Sequence, residues 1–453
     1  MQSINQSDDA AAPISFRAAW LFWLKLGFIS FGGPAGQISS MHQELVERRR
    51  WISERRFLHA LNYCMVLPRP EAQQLATYIG WLMHRTRGGI VAGALFVLPS
   101  LLILIALSWL YVAYSQVPVV AGILYGIKPA VTAIVVQATY RIGSRTLNNP
   151  LLWSVAVAAF VAMFALHVPF PLIVIAAAIV GYAGGRIAPK SFQVGSGHGE
   201  ARKSAGPAVI DDDTPTPSHA VFSASRTLKI LAVGAALWLL PMVLLTSLLG
   251  WQHTLTQMGW FFTKAALLTF GGAYAVLPYV YQGAVLQYQW LTPAQMIDGL
   301  ALGETTPGPL IMVVAIVGFI GGSVSADVQT LFGDNGMFLG AAAAAALVTW
   351  FTFLPSFLFI FAGGPLVETT HNDLKFTAPL TAITAAVVGV ILNLALFFGY
   401  HVLWPQGIGG QFDWISAAMT LAAVAALFWF KRTVVQVIIA SAVVGLLVRL
   451  LLA

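Results

Sequence analysis

The sequence predicts an all-α polytopic membrane protein built from two homologous repeats of inverted topology, with broken or re-entrant helices. Three observations carry that expectation. The 453 residues are 58% hydrophobic and only 9% charged, whereas soluble globular chains carry about 25% charged residues. Apolar runs long enough to cross a bilayer recur along the chain. The sequence before a polar break at 188–226 also resembles the sequence after it.

The mean hydropathy of +0.79 agrees with a lipid solvent, which allows an apolar exterior. The net charge of +7 comes from basic residues grouped in short loops, where the positive-inside rule puts them. It does not call for nucleic acid. Cys64 is the only cysteine, which excludes an intrachain disulfide and a thiolate metal cluster. Met1 to Pro13 is polar, carries Asp8 and Asp9, and has no basic stretch of the kind that opens a signal peptide. The first apolar run is expected to act as its own insertion signal.

In chain order, residues 1–15 form a polar tail. Spanning runs follow near 16–33, 88–114, 117–140, 150–166 and 169–187, within a first membrane domain at 16–187. The stretch 188–226 holds glycines, Lys190, Arg202, Lys203, three consecutive aspartates and the prolines Pro215 and Pro217. It cannot bury a core and reads as a flexible polar linker. A second membrane domain at 227–453 holds runs near 227–249, 257–285, 308–325, 336–362, 376–400, 413–430 and 433–453. Shorter apolar pieces at 57–67, 71–83 and 292–303 read as half-helices or re-entrant segments. About 10 to 14 full or partial passes result from this length rule.

The repeat is visible residue by residue. Lys25, Phe31, Gly32 and Gly33 precede Lys264, Phe270, Gly271 and Gly272 by 239 positions, and the same offset relates Trp51 to Trp290, Leu61 to Leu300, Pro68 to Pro307 and Pro70 to Pro309. Further on, Leu98-Pro99-Ser100 recurs as Leu354-Pro355-Ser356, and Ala130-Val131-Thr132-Ala133 as Ala382-Ile383-Thr384-Ala385. Orientation follows from charge. Segment 47–56 contains Arg48, Arg49, Arg50, Arg55 and Arg56, while its counterpart 286–295 contains no arginine. Basic loops stay in the cytoplasm, so the equivalent loops are expected on opposite sides. Such inverted repeats place substrate near the midplane, on broken helices.

The breaks are the candidate site. Paired glycines weaken a helix and admit close approach. Pro68-Arg69-Pro70 and Pro307-Gly308-Pro309 end helices outright. A helix restarting after each would present free N–H groups and partial positive charge, an anion-binding end. The alternative is that these prolines only kink packing helices. Lys25, Lys128, Lys264 and Arg69 are charges in or beside apolar runs, which are usually functional. They slightly outnumber the acids Glu71, Asp298 and Glu304, which favours an anionic substrate. Lys25 and Lys264 either face that substrate or snorkel to an interface. Glu71 and Glu304 either exchange protons or cap the restarting helices. Thr305 and Thr306 join the candidate substrate site beside the second Pro-x-Pro. No phosphate-binding loop and no metal-ligand pair at helical spacing occurs. Energy is therefore expected from an ion gradient or the substrate's own gradient. Gly89/Gly93 and Gly318/Gly322 mark close helix packing.

At these residues the chain resembles the long, two-domain members of the chromate ion transporter family. The resemblance rests on Phe31-Gly32-Gly33-Pro34, on Pro68 to Trp81, on Leu98-Pro99-Ser100, on Phe270 to Tyr274 and on Glu304 to Leu310. It implies a multi-pass protein of the bacterial cytoplasmic (inner) membrane that exports chromate, confers chromate resistance and draws on the membrane potential or proton gradient. It implies no cofactor, metal or enzymatic role, and leaves a homodimer open. One departure stands out: the family usually has Gly where this chain has Arg69. Arg restricts the bend, or else offers a bidentate oxyanion partner. A carrier of sulfate or another oxyanion is the alternative substrate reading. A membrane-embedded enzyme is remote, since His59 with Glu54, or His371 with Asp373, form no recognisable constellation.

Overall fold

The structure is a computed structural model that describes residues 14–31, 33–68, 70–192, 208–212, 214–215, 217–270, 273–369 and 377–452. Among them every regular element is helical, and an isolated bridge between Ile52 and Ile210 is the only β pairing. Seven helices are long and apolar enough to span a bilayer. This is a multi-pass membrane protein, with many large apolar side chains on its exterior.

The first half runs α1 (Phe16–Ile29), α2 (Gly33–His42), α3 (Glu54–Val66), α4 (Glu71–Tyr114), α5 (Pro118–Thr146), α6 (Pro150–Phe164) and α7 (Phe170–Ile187). After α8 (Ala224–Leu249), the second half runs α9 (Thr254–Leu268), the single turn α10 (Leu277–Val280), α11 (Pro293–Thr305), α12 (Val313–Val324), the short α13 (Ala326–Leu331), α14 (Gly336–Thr369), α15 (Thr377–Leu403), α16 (Trp414–Phe428) and α17 (Val434–Leu452). Local signals set many boundaries. Ser15, Ser53, Asn149 and Thr292 cap α1, α3, α6 and α11 by accepting from the first turn. Proline occupies the first turn of α5, α6 and α11.

The 239-residue repeat extends to backbone detail. Residues 43–48 and 281–287 are both π-helical. Arg50 and Gln289, 239 apart, have φ of 52° and 53°, an uncommon conformation for residues with a side chain. Arg49 N–H donates to Glu44 O at 2.9 Å and Tyr288 N–H to Gly283 O at 2.8 Å. After the first helix of each repeat, Phe31 N–H donates to Ile29 O and Phe270 N–H to Leu268 O, at 3.0 and 3.1 Å. α3 and α11 are both 13 residues long. The apolar run 257–285 is thus two pieces, because the chain leaves the helix after Leu268.

α4 is a hairpin rather than one rod. His84 and Arg85 leave helical geometry, and the chain folds back so that Gly80 lies against Gly88 and Ala92, and Thr77 against Gly89 and Gly93. Only glycine permits that approach. In the second half α12 packs on α14 in the same way, with Gly318 against Ala344 and Ala345 and Gly322 against Ala341 and Ala344. The returning arm of α4, from Thr86 to Tyr114, is ~42 Å long at 1.5 Å per residue, enough to cross a bilayer.

The two halves interlock. α5 of the first half packs against α15, α16 and α17 of the second, while α15 packs against α5, α6 and α7. Small residues let backbones meet there: Gly126 with Ser441 and Gly445, Gly389 with Ala156, and Gly181 with Ala378.

The two equivalent loops lie towards opposite ends of the returning arm of α4. Arg50, Trp51 and Ser53 bond to Val209 and Ile210, Ser53 Oγ donates to Asp212 at 2.6 Å, and Arg56 donates to Thr214 O. His219 of the same stretch bonds Trp81 O beside the hairpin tip. Val209, Ile210, Asp212, Thr214 and His219, within the polar stretch between the halves, are therefore held against the first repeat. At the other end of that arm, Tyr111, Val112, Ser115 and Gln116 line a cavity of about 340 Å³ together with Ala294 and Gln295 at the start of α11.

Candidate substrate site at the crossed helix breaks

The Pro-x-Pro turns end α3 and α11 and start the next helices. Glu71, buried, opens α4 immediately after Pro70. Leu310–Met312 forms a 3-10 turn after Pro309 and leads into α12. Proline at these places removes N–H groups that would have no helical partner. Gly308 has φ +108°, and a Cβ there would lie 2.7 Å from the Ser100 Cβ. The turn therefore needs glycine twice over, for its backbone and for its neighbour.

The breaks of the two repeats meet each other. Gly308 N–H donates to Ser30 O at 2.8 Å, at the end of α1. The Gln37 amide of α2, fully buried, donates to Gly308 O at 2.5 Å and to Ser30 O at 3.3 Å. On the first-repeat side, the buried Gln74 amide donates to Pro68 O at 2.5 Å and to Ser356 Oγ at 3.5 Å. The hairpin register brings Ser100 level with Pro70, and the α12–α14 register brings Ser356 level with Pro307. Ser100 thus meets Gly308, and Ser356 meets Gln74, whose amide also reaches Pro68 O. Ser100 is also midway along the Thr86–Tyr114 arm, ~21 Å from either end.

This centre is polar and incompletely satisfied. Ser30 Oγ, Ser100 Oγ, Gln37 Oε1, Gln73 Oε1 and Gln74 Oε1 are buried without a hydrogen-bond partner. Such atoms are costly unless something fills the role of partner. The serine hydroxyls can donate to an oxyanion.

Other predicted residues fall elsewhere or are already engaged. Gly32, Arg69, Gly271 and Gly272 lie outside the described residues, as do His371 and Asp373. Phe31 is exposed, Phe270 packs partly buried against the core, and Gly33 takes φ +68°. The Thr305 and Thr306 hydroxyls bond back to Leu302 O and Gly303 O. Lys25 is on an exposed face of α1. Lys264 lies over the Trp260 ring, 5.7 Å from its centroid. Lys128 pairs with buried Asp298 at 3.6 Å, and Tyr111 OH donates to the same carboxylate oxygen at 3.0 Å, in the cavity at the far end of α4. Glu304 accepts from buried Tyr274 OH at 2.5 Å. His59 bonds Val367 O and Glu54 bonds His42, so they have separate partners.

Sequence reasoning missed the neutral members: Ser30, Gln37, Gln74, Ser100 and Ser356. Their signal was present as polar residues inside apolar stretches, and as the repeated Leu-Pro-Ser.

The sequence pattern of the chromate transporter family matches residues 17–182 and 256–446. The chain belongs to the chromate transporter family. The chromate transport protein of Cupriavidus metallidurans is 28% identical over 438 residues, covering 96% of this chain and 94% of its own length. That of Pseudomonas aeruginosa is 30% identical over 448 residues, covering 96% and 93%. A probable chromate transport protein of Synechococcus elongatus is 28% identical over 387 residues, covering 84% of each. No solved structure matches the chain. In this transporter the two matched stretches bracket α8 and the polar stretch before it, so the family pattern coincides with the two interlocked repeats.

Proposed function

We propose that this protein is a secondary active transporter that exports chromate across the bacterial cytoplasmic membrane. On this reading it confers chromate resistance and is driven by the membrane potential or the proton gradient. The observation that carries it is the junction of Ser30, Gln37 and Gly308, where one repeat's helix break bonds to the other's. Unpartnered serine hydroxyls and two helix starts there suit a tetrahedral oxyanion. The names of the relatives supply chromate as that oxyanion.

The two membrane domains, 16–187 and 227–453, are read as inverted repeats. In support, the arginine-rich loop lies towards the tip end of the returning arm of α4 and the cavity at the start of α11 at the arm's other end. Rocking of one interlocked half against the other would expose the junction alternately to each side. Lys128 and Asp298 would close the far end by ion pairing. Glu71 and Glu304 are the carboxylates placed to exchange protons, and Arg69 adjoins the same first-repeat turn.

Uptake of labelled chromate into everted membrane vesicles tests this. Gradient-dependent accumulation is expected, with equimolar sulfate reducing it by less than half. No accumulation would overturn the reading, and equal competition would assign the site to sulfate and chromate alike.

A further inference from the structure

Away from the junction of the two repeats, the α4 hairpin tip carries a basic recess. Two adjoining cavities, of about 610 and 330 Å³, share Arg85, Ser218 and His219 as walls. Arg87 and His84 line the larger and Arg226 the smaller. No described carboxylate lines either cavity. Two described acids of the neighbouring elements have partners of their own: Asp212 accepts from Ser53, and Glu368 accepts from Tyr78 and pairs with Arg56. Arg226 is fixed by donating through one nitrogen to Ser218 O, His219 O and Val221 O, which leaves its other donors open. Desolvation holds the His219 pKa below its ordinary value, so it bonds Trp81 O as a neutral ring and the charge belongs to the arginines. Three arginines around a recess that no described carboxylate lines repel one another, and an anion between them would relieve that repulsion.

The surroundings say what kind of anion. The recess lies where α1 and α8 begin. Phe16 lines the larger cavity and meets the His84 ring edge-on, 5.4 Å between centroids. Trp20 and Leu21 on α1 and Leu228 and Leu231 on α8 are exposed apolar residues, and Ile230 of α8 packs in the same cluster as Ile14 and Ala18 of the α1 region. A charged recess at the head of two lipid-facing helices has the form of a phospholipid headgroup site. We propose that this recess binds the phosphate headgroup of an anionic phospholipid, with its acyl chains along α1 and α8. The docked stretch 217–219 would form one wall, so the bound lipid would also hold that stretch against the hairpin.

The test uses the full-length protein, purified in detergent and stripped of lipid. Native mass spectrometry would count bound phosphatidylglycerol, and thermal unfolding would be followed with phosphatidylglycerol, phosphatidylcholine or inorganic phosphate. Phosphatidylglycerol is expected to bind and raise the unfolding temperature, while the other two do not. Replacing Arg85 and Arg87 together by Gln should weaken phosphatidylglycerol binding by about fivefold per arginine, or about 25-fold. Arg87→Gln alone, at an exposed side chain, gives the fivefold step should the double variant fold poorly. Lys431→Gln, in the loop before α17, should change nothing. Equal binding of phosphatidylcholine, unchanged binding in the arginine variants, or the same stabilisation by inorganic phosphate would each overturn the proposal. None of these readouts involves transport, so the outcome is independent of the chromate reading.

Discussion

Gln37 and Gly308 are 271 residues apart in sequence and 2.5 Å apart in space, amide nitrogen to carbonyl oxygen. The same amide reaches Ser30 O, so one side chain ties the break after α1 to the turn before α12. Gln37→Leu keeps the volume and removes the donor. It leaves Gly308 O without that donor, at a cost of about 1–3 kcal/mol. Vesicle uptake should fall at least about fivefold if the whole cost is felt at the junction, since each 1.4 kcal/mol is a factor of about ten. Wild-type uptake with a wild-type unfolding temperature would remove Gln37 from the site.

Gly308→Ala tests the turn itself. The new methyl group meets Ser100, and φ of +108° disfavours any side chain. The two penalties separate in a pair of variants. Ser100→Gly in the Gly308→Ala background relieves the contact and leaves the backbone strain, so thermal stability should recover in part and transport should stay low. Full recovery of both would show that the contact alone matters.

Lys128 and Asp298 are 3.6 Å apart, with Asp298 almost fully buried and Lys128 partly exposed. Lys128→Met strands a carboxylate and should lower stability by about 2–3 kcal/mol, at or below the range for fully buried pairs because water reaches the lysine. Lys128→Met with Asp298→Leu removes both charges and should be less damaging than the single change. Chemical denaturation of all three proteins decides this, and additive losses would deny the pairing.

Inverted repeats make a topological prediction. A reporter enzyme fused after Arg49 should score cytoplasmic and one fused after Gln289 periplasmic. The two residues adjoin equivalent backbone turns, since Arg50 and Gln289 share an uncommon positive φ. Both reporters on one side would rule out inversion.

Much of the fold was legible because its causes are local. Hydropathy marks membrane helices wherever the chain buries its backbone in lipid, and α5, α8 and α15 fall within or around the apolar runs expected. Proline and glycine mark breaks, as at Pro307-Gly308-Pro309, because their backbone limits act without any partner. The hairpin in α4 was half visible: 71–83 read as a short segment, and Gly89 and Gly93 as packing residues. The sharp reversal at His84 and Arg85 carries no glycine or proline of its own. The stretch 188–226 looks like a tether by composition, yet Ser53, Arg56 and Trp81 of the first repeat bond its Asp212, Thr214 and His219.

The sequence by itself determined that this is a membrane protein of two related halves, where its helices break, and which family it resembles. Those properties follow from composition, breaker residues and a repeat offset, each readable without a partner. The tertiary structure decided which breaks meet. Gln37, Ser100 and Ser356 are ordinary polar residues until Gly308 and Gln74 arrive beside them from the other half. A hydrogen bond is specific to a geometry of a few tenths of an ångström, and no local pattern encodes a partner 271 positions away. Lys25 on an exposed face of α1, Lys264 over Trp260 and Lys128 beside Asp298 show the same limit: charge is visible in a sequence, while the direction a side chain faces is fixed only by packing.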